Sequence, residues 1–363
     1  DKVSTSVARA GWVAVRVQGK KDGRPVSAQG RSWARRLASM DGGLDRQLLF
    51  NRAVAAGELV ELPEHPMLDL LQRGSMEFDA TTNLYLIEMY LLLVGEVYVC
   101  MNRGTRTGKP TSLQPFPPTM LDSKKSPTHI YFKAGKREWS YRKEDVRVFR
   151  RPHPVDPYNA SLGMAQTLLN DLDIDESATV AVASRFRNGM TPDLLIQIAG
   201  VEDEGIDTFE AKLEDRHRGP GKVGKPIATN ADGIDVQPLS PTLVDMDVVR
   251  LRGQQADVIR EVLGVPPEIF GKVENSNRAT AEAAQHLYGA HVVDPQLNFL
   301  MRSFNYALEG MFEDGVFLMY ESPIPANKEF QLAVTEVHPG SFKENEKRTL
   351  AGMPLQTDGD QIR

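Results

Sequence analysis

Apolar positions along this chain recur with two different periods. The stretch TTNLYLIEMYLLLVG (81–95) puts Leu84, Ile87, Leu91 and Leu92 on one face, which predicts a helix that stops at a glycine. HPMLDLLQRG (65–74) predicts a shorter helix ending at Gly74. The segments VYVCMNRG (97–104), LQPFPP (113–118) and HIYFKAGKREWSYRKEDVRVFR (129–150) predict strands that turn at Gly104 and Gly135. Residues 1–150 therefore read as mixed α/β.

RPHPVDPYN (151–159) is a connector, because each proline lacks a backbone donor and restricts the residue before it. A long helical pattern follows over residues 163–189. Leu168, Leu169, Leu172, Ala178, Val182 and Phe186 keep helical spacing, and Asn188-Gly189 is the stop. TPDLLIQIAG (191–200) predicts a strand. A short helix, TFEAKLEDRH, opens on the Asp207/Glu210 pair by capping-box logic. A glycine-rich loop and two strand-like pieces, PIAT and IDVQPL, come next. A second long helix is expected from Pro241 to Gly264.

VPPEIFG (265–271) breaks that helix, and SNRATAEAAQ opens another with Ser276 or Asn277 as N-cap. Pro295 is expected to interrupt it before it resumes through QLNFLMRSFNYAL. FLMYE and FQLAVTEV read as strands, and Ser341 with Glu344 forms a capping box for a last helix. Two long helices thus flank a compact β-α-β insert, an arrangement that suits a part projecting from a body.

Composition narrows the function classes. The chain has 363 residues, enough for two or three domains, with 41% hydrophobic and 25% charged residues, so it can build cores. It begins at Asp1, so a longer parent chain is expected. The formal net charge of −6 argues against tight non-specific DNA binding by the whole surface, since such binding rests on Lys and Arg displacing counterions. Touching DNA without holding it is still allowed. One cysteine, Cys100, excludes an intrachain disulfide and fits a reducing compartment, where it serves as a small buried hydrophobe. The most apolar run, residues 84–95, is too short to span a bilayer and carries Glu88.

Chemical motifs are sparse. Gly219, Gly224 and Lys225 match the spacing of a phosphate-binding G-x-x-x-x-G-K loop. Such a loop needs a strand before it, a helix after it and a hydroxyl beside the lysine. Here a helical segment precedes it, a short strand-like piece follows it, and Pro226 replaces the hydroxyl residue. The loop reads instead as a basic turn displaying Arg216, Arg218, Lys222 and Lys225. In DLDIDE (171–176), Asp171 and Asp175 share a helix face while Asp173 points away, which reads as an acidic face rather than a metal site. His153 and Asp156 belong to a structural turn. No histidine pair has metalloprotease spacing, and no G-x-S-x-G is present, so the case for an enzyme is poor.

Four stretches taken in order are similar to the portal proteins of tailed double-stranded DNA phages. They are GEVYVCMNRG with LQPFPP; DPYNASLGMAQTLL leading to RFRNGMTPDLLIQ; IREVLGVPPEIFG with NSNRATAEAAQ and DPQLNFLMRSFNYAL; and SFKENEKRTLAGMP. The resemblance implies a mixed α+β portal-type subunit. It assigns residues 1–164 to a wing, 165–190 and 241–264 to two stem helices, and 191–240 to a clip. Residues 265–330 would form the tunnel loop and further wing helices, and 331–363 the C-terminal part of the wing and the start of a crown. It implies no cofactor and no catalysis. It implies a twelve-subunit ring at a capsid vertex that passes double-stranded DNA during packaging and ejection. The expected partners are the terminase large subunit, a neck or tail adaptor, and the major capsid or scaffolding protein. The expected location is the virion, after assembly in the bacterial cytoplasm. Lys272, Glu274, Asn275, Ser276, Asn277 and Arg278 would form the tunnel loop. Asp171 and Asp175 would line the stem, and the basic clip loop would meet a partner. The remaining alternatives are an adaptor without a DNA channel and a nucleotide hydrolase using Gly219–Lys225.

Overall fold

The computed structural model describes residues 1–18, 32–33, 36–37, 44–75, 77–105, 108–188, 194–198, 234–238, 248–271, 278–324 and 343–350. The chain divides into two compact units, Asp1–Gln166 together with Leu263–Arg363, and Thr167–Val262.

In the first unit the apolar run Trp12–Val17 forms β1, the middle strand of an antiparallel sheet with Leu59–Leu62 (β2) and Val316–Tyr320 (β10). Trp12 pairs with Tyr320 and Ala14 with Leu62. A second antiparallel sheet has Glu96–Arg103 (β3) between Pro110–Phe116 (β4) and Val146–Arg150 (β7). Val97, Val99, Cys100 and Met101 of β3 are all buried, which explains why VYVCM reads as a continuous apolar run rather than an alternation.

Helices cover these sheets. Lys2–Ala8 (α1) packs on Ala80–Leu93 (α4), which lies against β3 and β4. Leu44–Ala55 (α2) lies beside β2, and Pro66–Gln72 (α3) contacts β1 and β4. Capping follows the sequence: the Asp79 carboxylate accepts from Thr82 N–H at 3.0 Å, and His65 Nδ1 accepts from Met67 N–H at 3.2 Å. On α4 the residues expected to face inward, Leu84, Ile87, Leu91 and Leu92, are buried.

Asp294–Leu308 (α8) carries the centre of the core, with Leu297, Leu300, Met301, Phe304 and Leu308 nearly inaccessible. Phe304 meets Trp12 of the first sheet edge-on at 5.9 Å and Phe149 of the second at 5.1 Å, so one ring touches both sheets. Burying a side chain of this size contributes about 1.5–3 kcal/mol. At the start of α8, Arg46 donates to Asp294 at 3.1 Å and to the Tyr320 hydroxyl at 2.8 Å, so this buried charge is paired.

Pro295 does not break the helix as expected. Arg278–Tyr288 (α7) widens into a π turn at Gly289–Val293 and continues into α8, with Pro295 in its first turn. Proline removes one N–H and clashes with the carbonyl four residues back. The wider turn absorbs both effects without ending the helix.

A second, smaller core lies under the hairpin of His129–Ala134 (β5) and Arg137–Arg142 (β6). Phe116 stacks on Phe132 at 4.4 Å, with Trp139 and Tyr141 tilted against it. Cys100 is buried here as a small apolar group, and burial pushes its thiol up, away from reactivity.

Glu88, in the middle of α4, is fully buried. Its Oε1 lies 3.5 Å from Arg151 and its Oε2 has no hydrogen-bond partner. Burial raises the carboxyl and Arg151 lowers it; at this distance burial wins, and the group is pushed up to about 7. The unfolded chain returns it to the ordinary range near 4.5. Between these values the folded state holds a proton that the unfolded state has lost. Stability therefore falls as pH rises from about 4.5 to 7, by roughly 3 kcal/mol at most. Denaturant titrations across this window should show that slope in the wild type and a flatter one in Glu88→Gln.

Candidate functional site

In the first unit several charged side chains gather where strand β7 ends. Strand β7 ends at Arg150, whose Nε is 2.5 Å from Glu96 of β3. Arg151 follows. Its guanidinium reaches Glu88 of α4 and Gln296 of α8, and lies over the Phe299 ring. The connector then returns to the same place, and Gly163 packs on the end of α4 so closely that a Cβ would overlap the Leu93 carbonyl. Gly95, with φ of +82°, faces Leu162 in the same way. Neither close approach was visible in the sequence. Gly163→Ala should lower the unfolding free energy by about 1–3 kcal/mol, read by denaturant titration, because the backbone on both sides must move.

After one turn at Met164–Thr167, the first long helix runs over Leu169–Asn188 (α5). At about 100° per residue, Leu169, Leu172 and Val180 fall within about 80° of one another. They are exposed, at 60%, 43% and 57%. The opposite side, with Asp171, Asp175, Ala178 and Val182, is half-buried. Asp175 accepts from Arg252 Nε at 3.0 Å. Asp171 and Asp175 do share a face, which is half-buried, and Asp175 pairs there with Arg252 of Val248–Leu263 (α6). The acids on the exposed face are Asp173 and Glu176, next to the three apolar side chains. The helical spacing of Leu169 and Leu172 was legible, whereas their exposure was not.

Leu194–Ile198 (β8) and Ile234–Pro238 (β9) form an antiparallel pair, Leu194 opposite Pro238 and Ile198 opposite Ile234. They bring together the two ends of residues 199–233. The basic residues Arg216, Arg218, Lys222 and Lys225, the glycine loop and the short helix expected near Asp207 lie outside the described residues. So do Lys272, Glu274, Asn275, Ser276 and Asn277, while Arg278 opens α7. The last described helix is Glu344–Leu350 (α9); its expected capping partner Ser341 also lies outside.

A shallow cleft of about 350 Å³ beside the β5–β6 hairpin is lined by Asn102, Arg103, His129, Ser140, Arg142 and Asp145 among others. Arg103 and Arg142 both donate to Asp145, at 2.6 and 2.9 Å. His129 Nδ1 is engaged by the Thr128 hydroxyl. These are the partners of a folded loop, with no activated nucleophile. Among the described residues no cluster of His, Cys, Asp and Glu fits a metal ion, and no helix is long and apolar enough to cross a membrane.

The model of a family described as phage portal protein matches residues 46–352. The chain belongs to the phage portal protein family. Some proteins and solved structures are similar to this portal chain at low identity. An uncharacterized protein of Rickettsia bellii (strain RML369-C) is 22% identical over 322 residues, 85% of this chain and 82% of the relative. Among solved structures, one is the neck of a native gene transfer agent particle computed with C12 symmetry. It matches with a TM-score of 0.53 at 20% identity, covering 92% of this chain and 91% of that one. The crystal structure of an HK97 family phage portal protein from Corynebacterium diphtheriae matches with a TM-score of 0.53 at 13% identity, covering 88% and 90%. The mixed helix-and-strand fold is thus that of portal proteins from phage and gene transfer agent necks.

Proposed function

We propose that this chain is one subunit of a ring of about twelve copies at a capsid vertex, through which double-stranded DNA passes during packaging and ejection. The observation that carries the reading is the exposed apolar face of α5. Leu169, Leu172 and Val180 point to solvent on a helix whose other side is already ion-paired to α6. An apolar stripe on a long helix calls for cover, and membership of the portal family together with a C12-symmetric neck of the same fold supports cover by further copies.

The charge balance supports transit rather than capture. Each phosphate gripped by a cation must be released before DNA can advance, so a channel works best with few such contacts. The net charge of −6 fits that, with Lys272 and Arg278 of the tunnel segment to centre the duplex and acids elsewhere to repel it. Glu274, Asn275, Ser276 and Asn277 would supply the polar remainder of that segment. The basic residues 216–225 would contact the terminase large subunit during packaging and the neck or tail adaptor afterwards. The wing would face the major capsid or scaffolding protein. Assembly would take place in the bacterial host cytoplasm. The chain would hydrolyse no nucleotide, since Pro226 stands where a phosphate loop holds its magnesium-binding hydroxyl.

Light-scattering mass measurement on the purified protein tests the ring directly. The wild type should give a species of about twelve subunits, and Leu172→Asp with Val180→Asp should shift it to monomers or small oligomers. A wild type that is monomeric at every concentration would contradict the reading. A closed assembly without a central hole would instead indicate an adaptor or another capsid-associated component.

A further inference from the structure

Helix α3 hangs on one residue. A helix leaves its first amides without partners inside itself. Pro66, at the first position, has no N–H to offer. Met67 N–H donates to His65 Nδ1 at 3.2 Å, Leu68 N–H to His65 O at 2.8 Å and Asp69 N–H to the same oxygen at 3.1 Å. His65 therefore takes up every amide of the first turn. An imidazole nitrogen that accepts must be bare, so the neutral ring carries its proton on Nε2. That Nε2 has no hydrogen-bond partner, and the residue is only 6% exposed.

The helix held in this way buries Met67, Leu68, Leu70 and Leu71, and it touches β1 of one sheet and β4 of the other. The His65 ring lies 5.9 Å from the ring of Phe312, over which Lys109 Nζ sits at 5.6 Å. The charges that face His65 come from each neighbouring element. Arg16 of β1 is ion-paired with Glu313, which follows α8, and Asp69 of α3 is paired with Arg73 at 2.8 Å. Lys109 immediately precedes β4. Burial is the largest influence and disfavours the imidazolium. Arg16 and Lys109 act in the same direction, while Glu313 and Asp69 oppose them. The ring therefore stays neutral to a more acidic pH than an ordinary histidine, which titrates near 6.5.

We propose that His65 is an acid-released latch: a second proton, which only Nδ1 can take, breaks the bond to Met67 and frees the first turn of α3 where it lies between the two sheets. In the protonated ring Nδ1–H would meet the Met67 N–H, donor against donor, and Nε2–H would have no acceptor. The two carboxylates that face the ring are already paired, Glu313 with Arg16 and Asp69 with Arg73. The cation is accommodated only by leaving its place. The unfolded chain binds this proton near pH 6.5 and the folded chain only at lower pH. The latch is therefore fully closed above 6.5 and opens as pH falls through the folded value. This runs opposite to Glu88, whose contribution weakens as pH rises. Nothing in the device depends on how many copies assemble.

The test is hydrogen exchange with a mass-spectrometric readout on the full-length protein, at pH 5 and pH 7.5, with labelling times scaled for the intrinsic exchange rate. In the wild type, peptides covering residues 66–72 should be about fivefold less protected at pH 5, the size of a lost helix cap. Asn and Ser cap helices with oxygens that do not titrate in this range. His65→Asn and His65→Ser should therefore lose no protection at pH 5 in the same peptides. Comparing the three chains cancels Glu88, whose effect is common to all of them. Peptides of α8 should stay protected throughout, reporting that the core remains folded. Equal protection of residues 66–72 at both pH values in the wild type would overturn the latch. So would an acid-induced loss of the same size in both replacements, or one that α8 shares.

Discussion

A guanidinium pinned between two helices fixes where strand β7 of the first unit ends. Arg151 spans Glu88 at the middle of α4, Gln296 in the first turn of α8 and, through its own backbone, the turn at Gly95. Holding it half-buried costs solvation, which is why its own ionisation is lowered by burial and only partly restored by Glu88. The return is positional. Once Arg151 is fixed, β7 must end there, the connector must fold back on itself, and Gly163 must press against the carbonyl end of α4.

The two units solve the burial problem differently. The first has a continuous apolar core centred on Phe304 and closed by helices on both sheets, as expected of a chain segment long enough to bury most of its apolar surface. The second is small and displays Leu169, Leu172 and Val180 to solvent. Exposed apolar side chains on a long helix are the surface that the proposed ring would cover. Within it, the exposed ion pair between Asp175 and Arg252 joins α5 to α6 and is worth only about 0–1 kcal/mol.

Much of the fold was legible in the residues because local pattern and tertiary burial agree there. The inward face of α4, the strands β3 to β7, the turn at Gly135 and the β8 and β9 segments all follow from period and turn chemistry. Pro295 was misread because proline's local penalty can be absorbed by a π turn, a choice set by packing rather than by sequence. The exposure of Leu169, Leu172 and Val180 was hidden for a related reason. Periodicity tells which residues share a side, while the partner decides which side is inside, and Arg252 lies 77 residues from Asp175. The connector's anchoring was hidden for the same reason: HPVDPYN spells a turn, but its anchors at Val94, Gly95 and Arg150 are supplied by other strands and helices.

This portal-family chain is proposed to close into a ring around a DNA-sized bore. Single-particle electron microscopy of the purified, assembled protein tests it most directly. The account predicts a closed ring of about twelve copies whose long helices surround a hole wide enough to pass a DNA duplex. An assembly with no central hole, or with one too narrow for a duplex throughout, would contradict it.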